Sequence, residues 1–474
     1  MGPVVRYGPN RLLFNSRESL EGECPKQVLQ SIADFGSPEI YGHHRNFFKG
    51  RAYDAMRIQP VPSVFNAASN ELHSQRRKIV AQGFSDQAVK ASEPKILKQI
   101  DAYRRVLFPD EGESSWSEPR ELTSWSAFFA IDLIADLAVG RSTEMLTSPE
   151  NRVFNPARKA NFKRMGLAMQ WPEVFLSNTF RSLKIGEIVY RSVAEAGKQW
   201  HALLNSWIAT RIAELREDEK ESRSQGEDMV SAVMRYRDPE TGENLNDADL
   251  TAELTTLLIA GSGTITTGMT SLFWYLSRSP EAYGKASAEV RRMFRSSNEI
   301  RIGTQLSSCE YLRACLSESM RVSPAPTTPL YREAGKGGAT VCGTFIPEGS
   351  EVATTIYALH HNELYHPDSF QFDPNRWLDK EAAAKTKSAW APFSHGPRNC
   401  IGLNLAVNEV LLAMATILWH GDFRIAGDEK LATVGEGRND FGPGRRRESE
   451  FQMFDTFGAS TDGPYLQFRI RAAN

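Results

Sequence analysis

The chain has 474 residues, 41% hydrophobic and 24% charged. That is a soluble globular balance, and at about 150 residues per domain the length alone would divide into three. A net charge of −2 sets up no global field toward nucleic acid, and five cysteines (Cys24, Cys309, Cys315, Cys342 and Cys400), odd in number and irregularly spaced, exclude a disulfide scaffold and fit a reducing compartment.

The first 70 residues mix short strand patterns with loops. From about Asn70 to Arg301 the pattern is mostly helical. "FFAIDLIADLAVG" sets Phe129, Leu133 and Leu137 on one helix face, with Ile134 beside them. "KQWHALLNSWIATRIAELRED" is a second amphipathic run, and the charged residues 216–228 read as a solvated loop. A long helix follows, capped by Asn246 or Asp247 and ended by Pro280 after Ser279. Its thirty-odd residues, at 1.5 Å each, reach roughly 50 Å. "ATVCGTFI" and "SEVATTIYAL" flank the turn 347–350 and read as one hairpin. Residues 435–450 form an exposed loop. The longest apolar stretches, Ile131–Val139 and Val410–Trp419, fall short of the ~18 residues of a membrane span.

Cys400 lies in "FSHGPRNCIG" (393–402), just before an apolar helix. A metal-ligating thiolate needs positive potential, and the N-terminus of the helix beginning near Leu403 points back at it. Gly396 and Gly402 leave room for backbone to pass close to a large flat group. Arg398 is a fixed cation suited to a carboxylate, and Phe393 is an aromatic wall. Those features together describe haem. Zinc would need a second Cys or His at ligand spacing, and none lies nearby; His395 reads as a loop residue. A catalytic thiol with a histidine base stays open as an alternative.

The loop resembles the cysteine motif of the cytochrome P-450 superfamily, the haem-thiolate monooxygenases, at Phe393, Gly396, Arg398, Cys400 and Gly402, with Ala406 at a usual small position. "ESMR" resembles the family's Glu-x-x-Arg pair, Glu318 and Arg321 sharing a helix face. "FDPNRW" matches the later segment that brings Arg376 to that pair. The order and spacing of the three motifs also match, and the resemblance covers essentially the whole chain from residue 3 onward. The resemblance implies a mainly α fold with small β-sheets: one large triangular domain over residues 1–474, with haem b (iron protoporphyrin IX) between the long distal helix and the helix after the cysteine loop. Cys400 would be the iron ligand, and Glu318, Arg321 and Arg376 would be structural. His73, Arg77, Arg332 and Arg398 would face the propionates. Arg76 and Lys78 read as a solvated basic face open to an acidic redox partner.

On the distal side, "LLIAGSGTITTG" (257–268) matches the oxygen-binding segment at Ala260, Gly261 and Thr264, where small residues open a groove and the threonine hydroxyl serves proton delivery. The family's usual acid before that threonine is replaced by Gly263; Ser262, Thr266 or ordered water would have to substitute. Substrate-facing segments by resemblance are 45–68, 163–175, 323–329 and Met453–Ser460, carrying Met165, Leu167, Met169, Trp171 and Phe454. The style of the C-terminal half is similar to fungal microsomal members that tailor secondary metabolites. It implies a monomer that oxidises a small hydrophobic substrate with electrons from an NADPH-dependent flavoprotein reductase. It also implies a native membrane anchor missing from this chain, and a place on the cytoplasmic face of the endoplasmic reticulum. The alternatives are oxidative coupling or cyclisation without oxygen insertion and, more remotely, a non-catalytic haem-binding sensor.

Overall fold

The computed structural model describes residues 4–17, 19, 39–43, 45–110, 115–177, 191–220, 228–237, 242 and 244–471. Cys24 and residues 221–227 lie outside them. Among the described residues, the helices that position the site are α1 (Asn70–Val80), α2 (Glu93–Leu107), α3 (Leu122–Val139), α4 (Phe154–Gln170), α5 (Arg191–Lys220), α6 (Asp247–Arg278), α7 (Glu310–Val322) and α8 (Leu403–His420). The fold is mainly α with small sheets, as the sequence motifs imply.

Helix α6 is the axis. The Asn246 side chain accepts from Asp249 N at 2.9 Å to open it, and Ser279, before Pro280, closes it. Its 32 residues span roughly 48 Å. Helix α3 lies along it, and nearly every α3 side chain is buried. That is why α3 reads as apolar all round rather than striped. Both α3 and α8 are long and apolar enough to cross a membrane, yet 89% and 56% of those windows are buried inside the protein; they are core helices.

Among the described residues the strands are β1 (Val4–Gly8), β2 (Arg11–Phe14), β3 (Phe47–Phe48), β4 (Arg120–Glu121), β5 (Arg332–Ala334), β6 (Ala339–Val341), β7 (Thr344–Ile346), β8 (Glu351–Thr354), β9 (Gly421–Ile425), β10 (Met453–Phe454), β11 (Ser460–Thr461) and β12 (Tyr465–Ile470). The largest sheet runs β1-β2-β8-β5-β3, a second β4-β12-β9, and β6-β7 and β10-β11 are two-stranded.

Two sequence expectations are corrected. The hairpin turns at Cys342–Gly343, not at 347–350: both residues have positive φ, 47° and 72°, and Val341 faces Thr344. Two consecutive positive φ values make the turn that strand twist favours. Residues 347–350 instead carry the chain to β8, which lies parallel to β2, and Ile356–His360 is helical. The charged segment from 216 is no loop as far as Lys220, where α5 ends.

Candidate active site

The cysteine loop is held by its own backbone. Gly396 sits at φ +72°, and a Cβ there would run into the Tyr41 carbonyl oxygen; this glycine makes room for Tyr41. The Cys400 N–H donates to Phe393 O at 2.9 Å. Gly402 precedes α8 with no side chain capping its first turn, so free N–H groups and the positive helix end lie beside the thiol. Cys400 opens onto an internal cavity of about 310 Å³. Burial pushes its thiol up, and the Gly402 N–H and Arg77 oppose that.

Among the described residues five basic side chains reach this cavity, Lys49, His73, Arg77, Arg332 and Arg398, and no Asp or Glu lines it. Arg77 donates to Asn399 O at 2.8 Å and Oδ1 at 2.6 Å. Arg398 donates to Ala68 O at 2.9 Å, Ser69 O at 3.1 Å and Asn70 Oδ1 at 3.0 Å. Arg332 donates to the Tyr53 hydroxyl at 3.0 Å. Lys49 donates to Phe65 O and stands over the Tyr53 and Phe65 rings at 4.5 and 4.3 Å. Burial, then Arg398, Lys49, Arg77 and Arg332, drive His73 down to about 3. Burial and the same arginines hold Lys49 well below its ordinary range.

Across the cavity runs α6. Ala260 and Thr264 line it, and Thr264 Oγ1 donates back to Ala260 O at 2.8 Å. Gly261 and Gly263 do not line it. A Cβ on Gly261 would come within 2.7 Å of Ile134, and one on Gly263 would overlap the Phe162 ring. Both are small because α3 and α4 press on the helix. Ser262 and Thr266 are buried and donate to Ile259 O and Ser262 O, so neither hydroxyl stands in for the missing acid on the cavity side.

A family model described as Cytochrome P-450 matches residues 36–436. The chain is a cytochrome P-450. Curated relatives agree over nearly its whole length. Cytochrome P-450 monooxygenase apf7 of Gibberella fujikuroi is 34% identical over 99% of this chain and 86% of its own. A cytochrome P-450 monooxygenase of Gibberella zeae is 34% identical over 92% of this chain and 98% of its own. Cytochrome P-450 monooxygenase poxM of Penicillium oxalicum is 31% identical over 99% of this chain and 83% of its own. The chain is therefore an oxidoreductase of the monooxygenase class, and its family implies haem.

The P-450 cavity fits that cofactor on its own chemistry. Five basic groups stand together with no acid among the described lining residues, and burial together with the neighbouring arginines holds Lys49 and His73 down; that is the donor set that two carboxylates would neutralise. Away from the cavity, Glu318 is fully buried between Arg321 and Arg376. Its carboxylate accepts from Arg321 Nε and Nη2, Arg376 Nε and Trp377 Nε1, each at 2.9 Å, and from Asp373 N at 3.0 Å. Burial alone would raise this carboxyl; Arg321 and Arg376 outweigh it and hold it low. Arg321 also donates to His360 O at 2.8 Å and Ser369 O at 2.7 Å.

The substrate-side expectations divide. Of five named side chains, Met165 lines the cavity. Met169 is core, Trp171 is 61% exposed and Phe454 40% exposed, and Leu167 is absent from the lining. Helix geometry explains it: Phe162 and Met165, three apart, share the inward face, and Phe162 was the residue missed. Lys49 was also missed, because a lone lysine in "FFKGR" carries no signal of the cations it will meet from 300 residues away. Arg76 is not surface: it is buried against Asp249. Beside that pair, the Glu253 carboxylate accepts from Val64 N at 2.8 and 3.0 Å, and Thr256 Oγ1 donates to Ser63 Oγ at 2.8 Å. These bonds pin the 58–66 wall to α6.

Proposed function

We propose that all 474 residues act as one haem-b-dependent monooxygenase that oxidises a small hydrophobic metabolite with electrons from an NADPH-dependent flavoprotein reductase. One observation carries this reading: Cys400, Thr264 and five basic side chains line the same, mostly apolar cavity. Cys400 would ligate the iron. His73, Arg77, Arg332, Arg398 and Lys49 would hold the propionates, with Phe393 and Ala406 as walls. Bound there, haem supplies the metal at which dioxygen is activated, and thiolate ligation favours O–O cleavage. Thr264, on the opposite wall, would hold water and pass protons. Ile58, Val61, Phe65, Met165 and Phe457 exclude bulk water and favour an apolar substrate. Glu318, Arg321 and Arg376 would brace the cysteine loop rather than react. Fungal secondary metabolism and a membrane-associated, endoplasmic-reticulum setting rest on the family likeness.

A second reading has its own support. With Gly263 jammed against Phe162, no carboxylate stands next to Thr264, which suits a coupling or ring closure that asks less of proton delivery. Labelled dioxygen separates the two. Oxygenation predicts label in the product, and Thr264→Ala then lowers product formed per NADPH consumed. No label, together with unchanged coupling in Thr264→Ala, would overturn the oxygenase reading.

A further inference from the structure

Behind Gly263, on the far side of Phe162 from the main cavity, lies a small separate void of about 10 Å³. That is room for one water-sized body. Arg158 of α4 reaches it with its side chain buried, 6% exposed. The Arg158 Nε and Nη2 both donate to a single neutral oxygen, Asn155 Oδ1, at 3.2 and 3.1 Å. Among the described residues no carboxylate pairs with it. Burial draws the guanidinium down to about 10, and no acid acts on it in return. It therefore stays charged at neutral pH, and a buried charge without a counter-charge is costly.

The other wall groups add donors, not acceptors of that charge. Lys159 brings a second cation. Thr456 Oγ1 is buried, its residue 9% exposed, and has no hydrogen-bond partner. The Thr266 and Thr267 hydroxyls are already spent on helix carbonyls, and no Asp or Glu among the described residues lines the void. A water would meet the hydrogen bonds but leave the charge. Room for one water-sized body favours a monatomic anion over a carboxylate or phosphate.

We propose that this void binds a monatomic anion, chloride under cellular conditions, held by the Arg158 guanidinium, the Thr456 hydroxyl and the Lys159 ammonium. The site is independent of the haem pocket. Its walls come from α4, α6, Thr123 at the start of α3 and the segment 456–461 that runs into β11, and Phe162 is shared with the main cavity, so the anion fastens those four pieces together.

The test uses the haem-loaded enzyme at constant ionic strength. Sodium chloride or bromide is titrated against sodium gluconate and sulfate while the melting temperature is followed. The expected result is a saturable rise of about 3 °C at about a hundredfold the dissociation constant with either halide, absent with gluconate and sulfate. Crystals soaked in bromide should show an anomalous peak within bonding distance of Arg158. Thr456→Val, nearly isosteric, should shift the titration to at least fivefold higher halide, and Arg158→Gln should abolish it. If Arg158→Gln does not fold, the wild-type soak and Thr456→Val decide the matter alone. Equal melting in chloride and gluconate, with no anomalous signal in the void, overturns the proposal and leaves a water there.

Discussion

Replacing Glu318 by Gln tests whether the buried ion network holds up the haem floor. The carboxylate has five donors: two from Arg321 and one each from Arg376, Trp377 and Asp373 N. The two arginines are 0% and 8% exposed, and Glu318 itself 0%. The amide keeps one acceptor oxygen and turns two donors toward groups that donate. Both guanidinium charges are then left without a counter-charge. Breaking such a buried pair costs about 3–5 kcal/mol, against about 5–15 kcal/mol for a whole domain. Arg321 keeps its bonds to His360 O and Ser369 O, so the loss belongs at the lower end, about 3 kcal/mol. Trp377→Phe removes one charged hydrogen bond and should cost about 1.5–3 kcal/mol. The assay is urea unfolding of purified protein, with haem per chain from the ferric absorbance as a second readout. Glu318→Gln should move the midpoint at least as far down as Trp377→Phe does and, unlike it, yield substoichiometric haem. If Glu318→Gln lies within about 1 kcal/mol of wild type and fully loaded, while turnover alone falls, the carboxylate is chemical and the structural argument fails.

Three further outcomes are expected. Lys49→Met should weaken haem binding by about 10–100-fold, the equivalent of one charge-assisted bond, read as haem transfer to apomyoglobin; unchanged transfer would place Lys49 outside the propionate set. The Glu253 carboxyl is pushed up by burial from 4.5 to about 7, so its folded form holds the proton longer than its unfolded form does. Its contribution is undiminished below pH 4.5, falls as pH rises toward 7, and stays lost above. Against Glu253→Gln, the wild type should lose about 2–4 kcal/mol across that window, and parallel stability curves would count against it. Gly263→Asp must displace the Phe162 ring and should destabilise by about 1–3 kcal/mol; adding Phe162→Ala should restore part of that and change product per NADPH. A Gly263→Asp protein as stable as wild type would show the contact is soft.

What could be read in advance follows from range. The residues 393–402, Glu318 with Arg321, and Arg376 each sit in a short string whose spacing is itself the signal. The bounds of α6 were legible too, because Asn246 and Pro280 act on their immediate neighbours. Lys49, Glu253 and Phe162 carry no such string: each takes its meaning from partners far along the chain, such as Arg332, Val64 and Gly263. The hairpin was misplaced because a proline–glycine turn is a louder signal than Cys342 at positive φ. Gly261 and Gly263 show a related limit. A glycine marks close approach, but the sequence does not say which face is approached.

The 58–66 wall hangs on α6 by a few side-chain bonds around Glu253 and Thr256, whereas the cysteine loop is set by its own backbone, with Gly396 against Tyr41 and the Cys400 N–H on Phe393 O. The pocket thus has a negotiable side and a fixed one. Directed evolution toward new substrates should find most of its tolerated diversity at Ile58, Val61, Val64 and Phe65, with Met165 opposite. Libraries spread over 318–321, 372–377 or 393–402 should return colourless protein.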